Sequence, residues 1–136
     1  MNILRNFLFI GLILLSGAGC ATMGAKNQAD LLSTQVNQYA ADFRWGRYRD
    51  AYKYHVDQEG RQPAADLAQL ENFSITDFRI LGLSLNETAT IAEVPVEIEY
   101  VNNQYGSVSK INQKQLWWFS QEKQTWFVES AFPVLE

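Results

Sequence analysis

From Leu32 onward the apolar positions recur at a helical period. Leu32, Val36, Tyr39, Ala40 and Phe43 lie at i, i+4, i+7, i+8 and i+11, one face of a 3.6-residue repeat. Asp30 stands near the expected start of this helix, where a negative charge suits the dipole. Gly46, just after Trp45, stands at its expected end, where a left-handed residue closes a helix. A second, shorter helix is predicted from Arg47 to His55, with Tyr48, Ala51, Tyr52 and His55 on one side. A third is predicted from Pro63 to Leu70, because proline is well tolerated in a first turn.

Beyond Phe73 the period changes to two. Ala92, Val94, Val96, Ile98 and Tyr100 alternate with Glu93, Pro95, Glu97 and Glu99, the pattern of a half-buried antiparallel strand. Pro95 inside it predicts either a sheet edge or a bulge. Further strands are expected over Ile75–Leu85, Val108–Ser120 and Thr125–Ser130, separated by polar turns such as Asn102–Gly106 and Gln121–Gln124. Charge and burial together select the register. Pairing Tyr100 with Ser109 sets Ile111 opposite Ile98 and Lys110 opposite Glu99, whereas a slip of one residue buries Lys110. Extending the same logic pairs Phe119 with Trp126 and Trp117 with Val128. Gln113, Gln115, Trp117 and Trp126 then face the helices, and Ile91, Leu116, Trp118 and Phe127 face away. That outer cluster is either a contact surface or is covered by the C-terminal Ala131–Leu135.

Helices followed by meandering strands make an α+β domain: N-terminal helices packed on a curved antiparallel sheet of about four strands, a cone-shaped roll. The chain of 136 residues, 47% hydrophobic and 19% charged, has the balance of one globular unit. A formal charge of −4 argues against nucleic acid as a partner, which requires a basic face. One cysteine excludes an internal disulfide, and one histidine excludes a His-pair site within the chain. No metal site and no cofactor are expected. Glu93, Glu97 and Glu99 read as solvated charges paired with Lys110 and Lys114. Arg44, Arg47, Arg49 and Lys53, interleaved with Trp45, Tyr48 and Tyr54, read as a solvated helix edge, with a headgroup or anion patch as the alternative.

The first residues read as an address. One positive charge, Arg5, precedes the apolar run Phe7–Leu15, then Ser16-Gly17-Ala18-Gly19 and the single Cys20. The apolar run is too short to cross a bilayer, which takes about 20 residues. The small residues ending in cysteine resemble the lipobox of bacterial lipoproteins, although Gly17 stands where leucine is usual. The resemblance implies cleavage after residue 19, lipidation of Cys20 and, since Ala21 rather than Asp follows, the outer membrane with the domain on its periplasmic side. Residues 1–19 are then the signal peptide, 20–28 the lipidated cysteine and a flexible tether, and 29–136 the folded domain.

The helix-turn-helix segment Tyr39…Phe43-Arg44-Trp45-Gly46-Arg47-Tyr48-Arg49-Asp50-Ala51-Tyr52 and the hairpin Trp117…Gln121-Glu122-Lys123-Gln124-Thr125-Trp126-Phe127-Val128 resemble the nuclear transport factor 2-like superfamily. The resemblance implies three helices wrapped by a curved sheet and, commonly, dimerisation through the outer sheet face. That suits Ile91, Leu116, Trp118 and Phe127. Members also include isomerases and dehydratases that use a Tyr and acids inside the cone. Tyr39, His55 and Asp57 are available here but do not align with such a catalytic set. The expectation is a lipid-anchored binding or accessory protein. It would act through an envelope protein partner, a second copy of itself, or a small apolar ligand held among Tyr39, Gln113, Gln115, Trp117 and Trp126. The alternative is a small-molecule isomerase or dehydratase.

Overall fold

A computed structural model describes residues 18–136, with side chains from Gly24; the leader 1–17 and the side chain of Cys20 lie outside the described residues. Helix α1 (Ala18–Arg44) has 27 residues, a length of about 40 Å at the usual rise. It begins well ahead of the expected Ala29, so residues 21–28, expected as a tether, continue the helix and Asp30 lies inside it. Ala, Met, Lys and Gln in this stretch are good helix formers and no proline interrupts them. The extension is also held from outside, since the Gln28 carbonyl accepts the Trp126 indole N–H at 2.9 Å. The C-terminus closes where expected. Gly46 has φ +70°, its N–H reaches the Phe43 carbonyl at 3.1 Å, and the Arg47 N–H reaches that of Asp42 at 2.7 Å. These two bonds are a Schellman closure.

The other helices are shorter than the periodicity predicts. Helix α2 spans only Tyr48–Tyr52, because the chain then turns into sheet-like pairing. Val128 N–H donates to the Tyr54 carbonyl at 2.7 Å and His55 forms a parallel bridge to Val128. The helix expected over Pro63–Leu70 is absent, and a 3₁₀ turn at Gln69–Asn72 stands at its end. Its would-be first turn is spent elsewhere: the Pro63 carbonyl accepts Tyr52 Oη at 2.6 Å, and Asp66 caps the Gln69 N–H at 3.1 Å.

Strands β1 (Phe73–Ile80), β2 (Ser84–Leu85), β3 (Ile91–Asn102), β4 (Val108–Ser120) and β5 (Thr125–Val128) form one antiparallel sheet. The long strands run in the order β1-β3-β4-β5, with β2 also pairing β3. The sheet curls strongly into a half-barrel around α1. The β3–β4 register is the one charge and burial select, with Tyr100 opposite Ser109, Ile98 opposite Ile111 and Glu99 opposite Lys110. On the next pair Trp117 faces Val128 and Phe119 faces Trp126.

Pro95 lies on neither an edge nor a bulge of its own strand. It sits in a central strand, opposite the gap between β1 and β2, where no ladder bond needs its missing N–H. Its carbonyl, on that same side, accepts the Leu81 N–H at 2.8 Å. The irregularity in register falls instead on β1, between Ile75 and Asp77, and such a bulge sharpens strand twist and curl.

The concave face holds the core. Leu32, Val36, Tyr39 and Phe43 of α1 meet Val94, Val96 and Ile98 of β3, Trp117 of β4 and Trp126 of β5, all buried. The C-terminal residues, expected either to cover the outer aromatic cluster or to leave it free, go to the inside. Phe132 packs on Phe43, Tyr52 and His55 with ring centroids 5.4, 5.5 and 4.9 Å away. Leu135 is fully buried, and Tyr100 Oη meets the backbone of Glu136 at 3.3 Å. The open side of the half-barrel is apolar, and the tail covers it.

Candidate functional site

Tyr39, Gln113, Gln115 and Trp117 are brought together on the concave side, and His55, not expected among them as a pocket residue, joins them there. Helical spacing turns Tyr39 inward from α1, and strand alternation turns Gln113, Gln115 and Trp117 inward from β4. His55 arrives on the segment that bridges to β5. Tyr39 Oη lies 2.8 Å from His55 Nε2, and His55 Nδ1 lies 2.9 Å from the Ser130 carbonyl. A carbonyl only accepts, so Nδ1 carries the proton and Nε2 accepts from the Tyr39 hydroxyl.

The chain of bonds continues across the sheet. Gln115 Nε2 donates to Tyr39 Oη at 3.4 Å and to Gln113 Oε1 at 3.2 Å. Trp117 Nε1 donates to Gln115 Oε1 at 3.1 Å, and Gln113 Nε2 donates to the Ala131 carbonyl at 2.7 Å. Among the described residues no buried side-chain nitrogen or oxygen lacks a partner, as a dry interior requires.

This network is neutral. Burial lowers the His55 pKa to about 4, against a smaller opposing effect of the bond to Ser130. Burial likewise pushes the Tyr39 phenol far up, against the Gln115 bond. Tyr39, His55, Gln115 and Trp117 are all 0% exposed, and no carboxylate bonds to any of them. The set holds the tail at Ser130 and Ala131 to the helix and sheet. It does not present an acid and a base to solvent. Trp126, the remaining inward residue, is separately tied: its indole to Gln28 and its backbone N–H to Gln35 Oε1 at 2.9 Å.

On the outer face Ile91, Trp118 and Phe127 lie in one row across β3, β4 and β5, with Leu116 beside them. All four are half-buried. The Trp118 and Phe127 rings are 5.3 Å apart and tilted by 34°. Trp118 is pinned as well, its indole N–H donating to the Val56 carbonyl at 2.7 Å.

Most of the remaining charged candidates pair locally. Glu93 meets Lys114 at 3.5 Å and Glu99 meets Lys110 at 3.5 Å, while Glu97 takes Arg79 as well as Lys110. Arg47 and Lys53 are held by Asp42 and Asp50 at 2.9 and 3.0 Å. Asp57 organises its own loop, accepting from the N–H groups of Glu59 and Arg61 at 2.9 Å. The Arg61 N–H is the main cause that lowers the Asp57 pKa. Sequence reasoning missed Ser130, Ala131 and the buried Asp42. The first two act through carbonyls that any residue supplies, and Asp42 carried only the signal of an acid beside an apolar helix stripe. No protein-family model, no curated protein and no solved structure matches this chain.

Proposed function

We propose that the chain is a lipid-anchored cell-envelope protein of the outer membrane, moored through Cys20. Its domain, of nuclear transport factor 2-like type, binds a second copy or an envelope protein through the outer face of its sheet. The leader-to-cysteine layout of residues 1–20 supports the anchor. The helix in a curled antiparallel sheet agrees with the architecture that the resemblance implies, although one long helix and a short one stand where three were expected.

The observation that carries the binding role is the closed interior. Tyr39, His55 and Gln115 spend their donors and acceptors on one another and on the tail. An isomerase or dehydratase would need those groups free and reachable. The half-buried aromatic row Ile91–Trp118–Phe127, with Leu116, is a contiguous apolar surface that supports contact. Trp118 also supports the fold through Val56, so Leu116→Glu is the cleaner probe of the surface.

The test is cross-linking in intact cells of a Gram-negative host, with parallel labelling by radioactive palmitate. The wild type is expected to take up label and to give a discrete cross-linked species. Leu116→Glu should lose that species while keeping label and melting temperature. Cross-linking indifferent to Leu116→Glu overturns the outer-face contact, and label retained in Cys20→Ala overturns the anchor.

A further inference from the structure

A surface cavity of about 290 Å³ lies beside β5, between that strand and residues of α1 and the α2 segment. Tyr54 and Phe127 supply its aromatic side, with Thr125 and Trp126 at the strand, Gln35 and Asp42 from α1, and Asp50 and Lys53 from the α2 side. It is separate from the interior network and from the proposed anchor.

Asp42 is the unusual member. Its side chain is only 5% exposed, yet its bonds converge on one oxygen. Gln38 Nε2 and Arg47 Nε both donate to Oδ1 at 2.9 Å, and the closest approach of the Arg47 terminal nitrogen is to Oδ1 as well. Oδ2 has no hydrogen-bond partner among the described residues. Since no buried side-chain oxygen among them is left unpartnered, Oδ2 must reach accessible space, and the cavity is the space Asp42 lines. Gln38 and Arg47 do not line it, so they hold the carboxylate from behind.

A carboxylate oxygen that opens on a cavity from a side chain only 5% exposed is placed to accept from a ligand, and a charged donor gives the stronger bond. Aromatic walls next to it favour a cation over a neutral group. Lys123 Nζ already stands 5.4 Å from the Phe127 ring centroid, so an ammonium on this wall is compatible with the fold. The Tyr54 phenol is raised by burial first and then by Asp42 and Asp50, which places those carboxylates near its hydroxyl. Lys53 is the local competitor, but it is held by Asp50 at 3.0 Å and is 75% exposed. The chain's charge of −4 also favours cations at long range.

We propose that this cavity is a binding site for a small primary ammonium compound. Its –NH₃⁺ donates to Asp42 Oδ2, and its carbon skeleton packs on Tyr54 and Phe127.

The test is ligand-observed saturation-transfer NMR on the full chain with benzylammonium chloride, and with benzyl alcohol as the uncharged probe of the same ring. Transfer is expected to the ammonium and not to the alcohol. Asp42→Asn should weaken binding about tenfold, the effect of one hydrogen bond to a charged group. Lys53→Met should tighten it, because it removes the competing cation and frees Asp50. Lys53 is exposed enough that this variant folds whatever Asp42→Asn does to stability. Equal transfer to both probes overturns the proposal, as does binding unchanged or weakened in Lys53→Met.

Discussion

His55 shows how much a single neutral side chain decides. It accepts from Tyr39, donates to Ser130 and stacks against Phe132, so helix, sheet and tail meet on one imidazole. Its pKa is lowered to about 4 by burial, whereas an unfolded histidine titrates near 6.5. Between those values the unfolded chain binds the extra proton. Stability is therefore full above pH about 6.5 and falls as pH drops toward 4, by at most about 1.4 kcal/mol per unit. Urea unfolding at pH 7 and pH 5 is expected to show this loss, and His55→Gln should flatten it within that window while lowering stability at pH 7. An equal slope in the variant would place the titration elsewhere. The place of His55 on an aromatic helix side was legible. Its partners, 16 and 75 positions away, were not.

At the scale of elements, local rules held where the determinants lie within a few residues or across one strand pair. The Gly46 closure is such a case: φ of +70° and two backbone bonds, with nothing within 4 Å of where a Cβ would stand. Gly46→Ala therefore meets strain without a clash, and its cost should be about 1 kcal/mol, read as a lower thermal midpoint with unchanged helix content. Register was legible for the same reason. A shift of one residue would bury Lys110 opposite Ile98, so few alternatives survive. The third predicted helix failed because Pro63 at a first turn is permissive and not compelling. No apolar stripe backed it, and Tyr52 captured the carbonyl. The early start of α1 was hidden for the opposite reason: residues 21–28 have helix propensity but no apolar period, and a contact from Trp126 stabilises them.

For the whole molecule, the decisive contact is the tail across the open side of the half-barrel. Phe132 and Leu135 are buried while Val134 between them is 66% exposed. The tail is anchored at Ser130, Ala131 and Glu136. Leu135→Ala is expected to cost about 2–5 kcal/mol, the range for emptying a buried leucine site. A chain ending at Ala131 should bind 8-anilinonaphthalene-1-sulfonate, as an exposed apolar core does. Wild-type melting in the truncated chain would show that the tail is an ornament on a core stable without it.

The order of residues alone determined the α+β class, the inward and outward sides of β3, β4 and β5, the pairing of β3 with β4 and β4 with β5, and the end of α1. Each follows from short-range periodicity, or from which neighbour a charge or an apolar group tolerates. Only the tertiary structure decided that the C-terminus turns inward and that Pro95 sits in a central strand opposite a gap. Only it decided that Tyr39, His55 and Gln115 consume one another's hydrogen bonds. Those outcomes depend on which distant segments compete for the same buried volume and the same polar atoms, and no spacing along the chain encodes the winner.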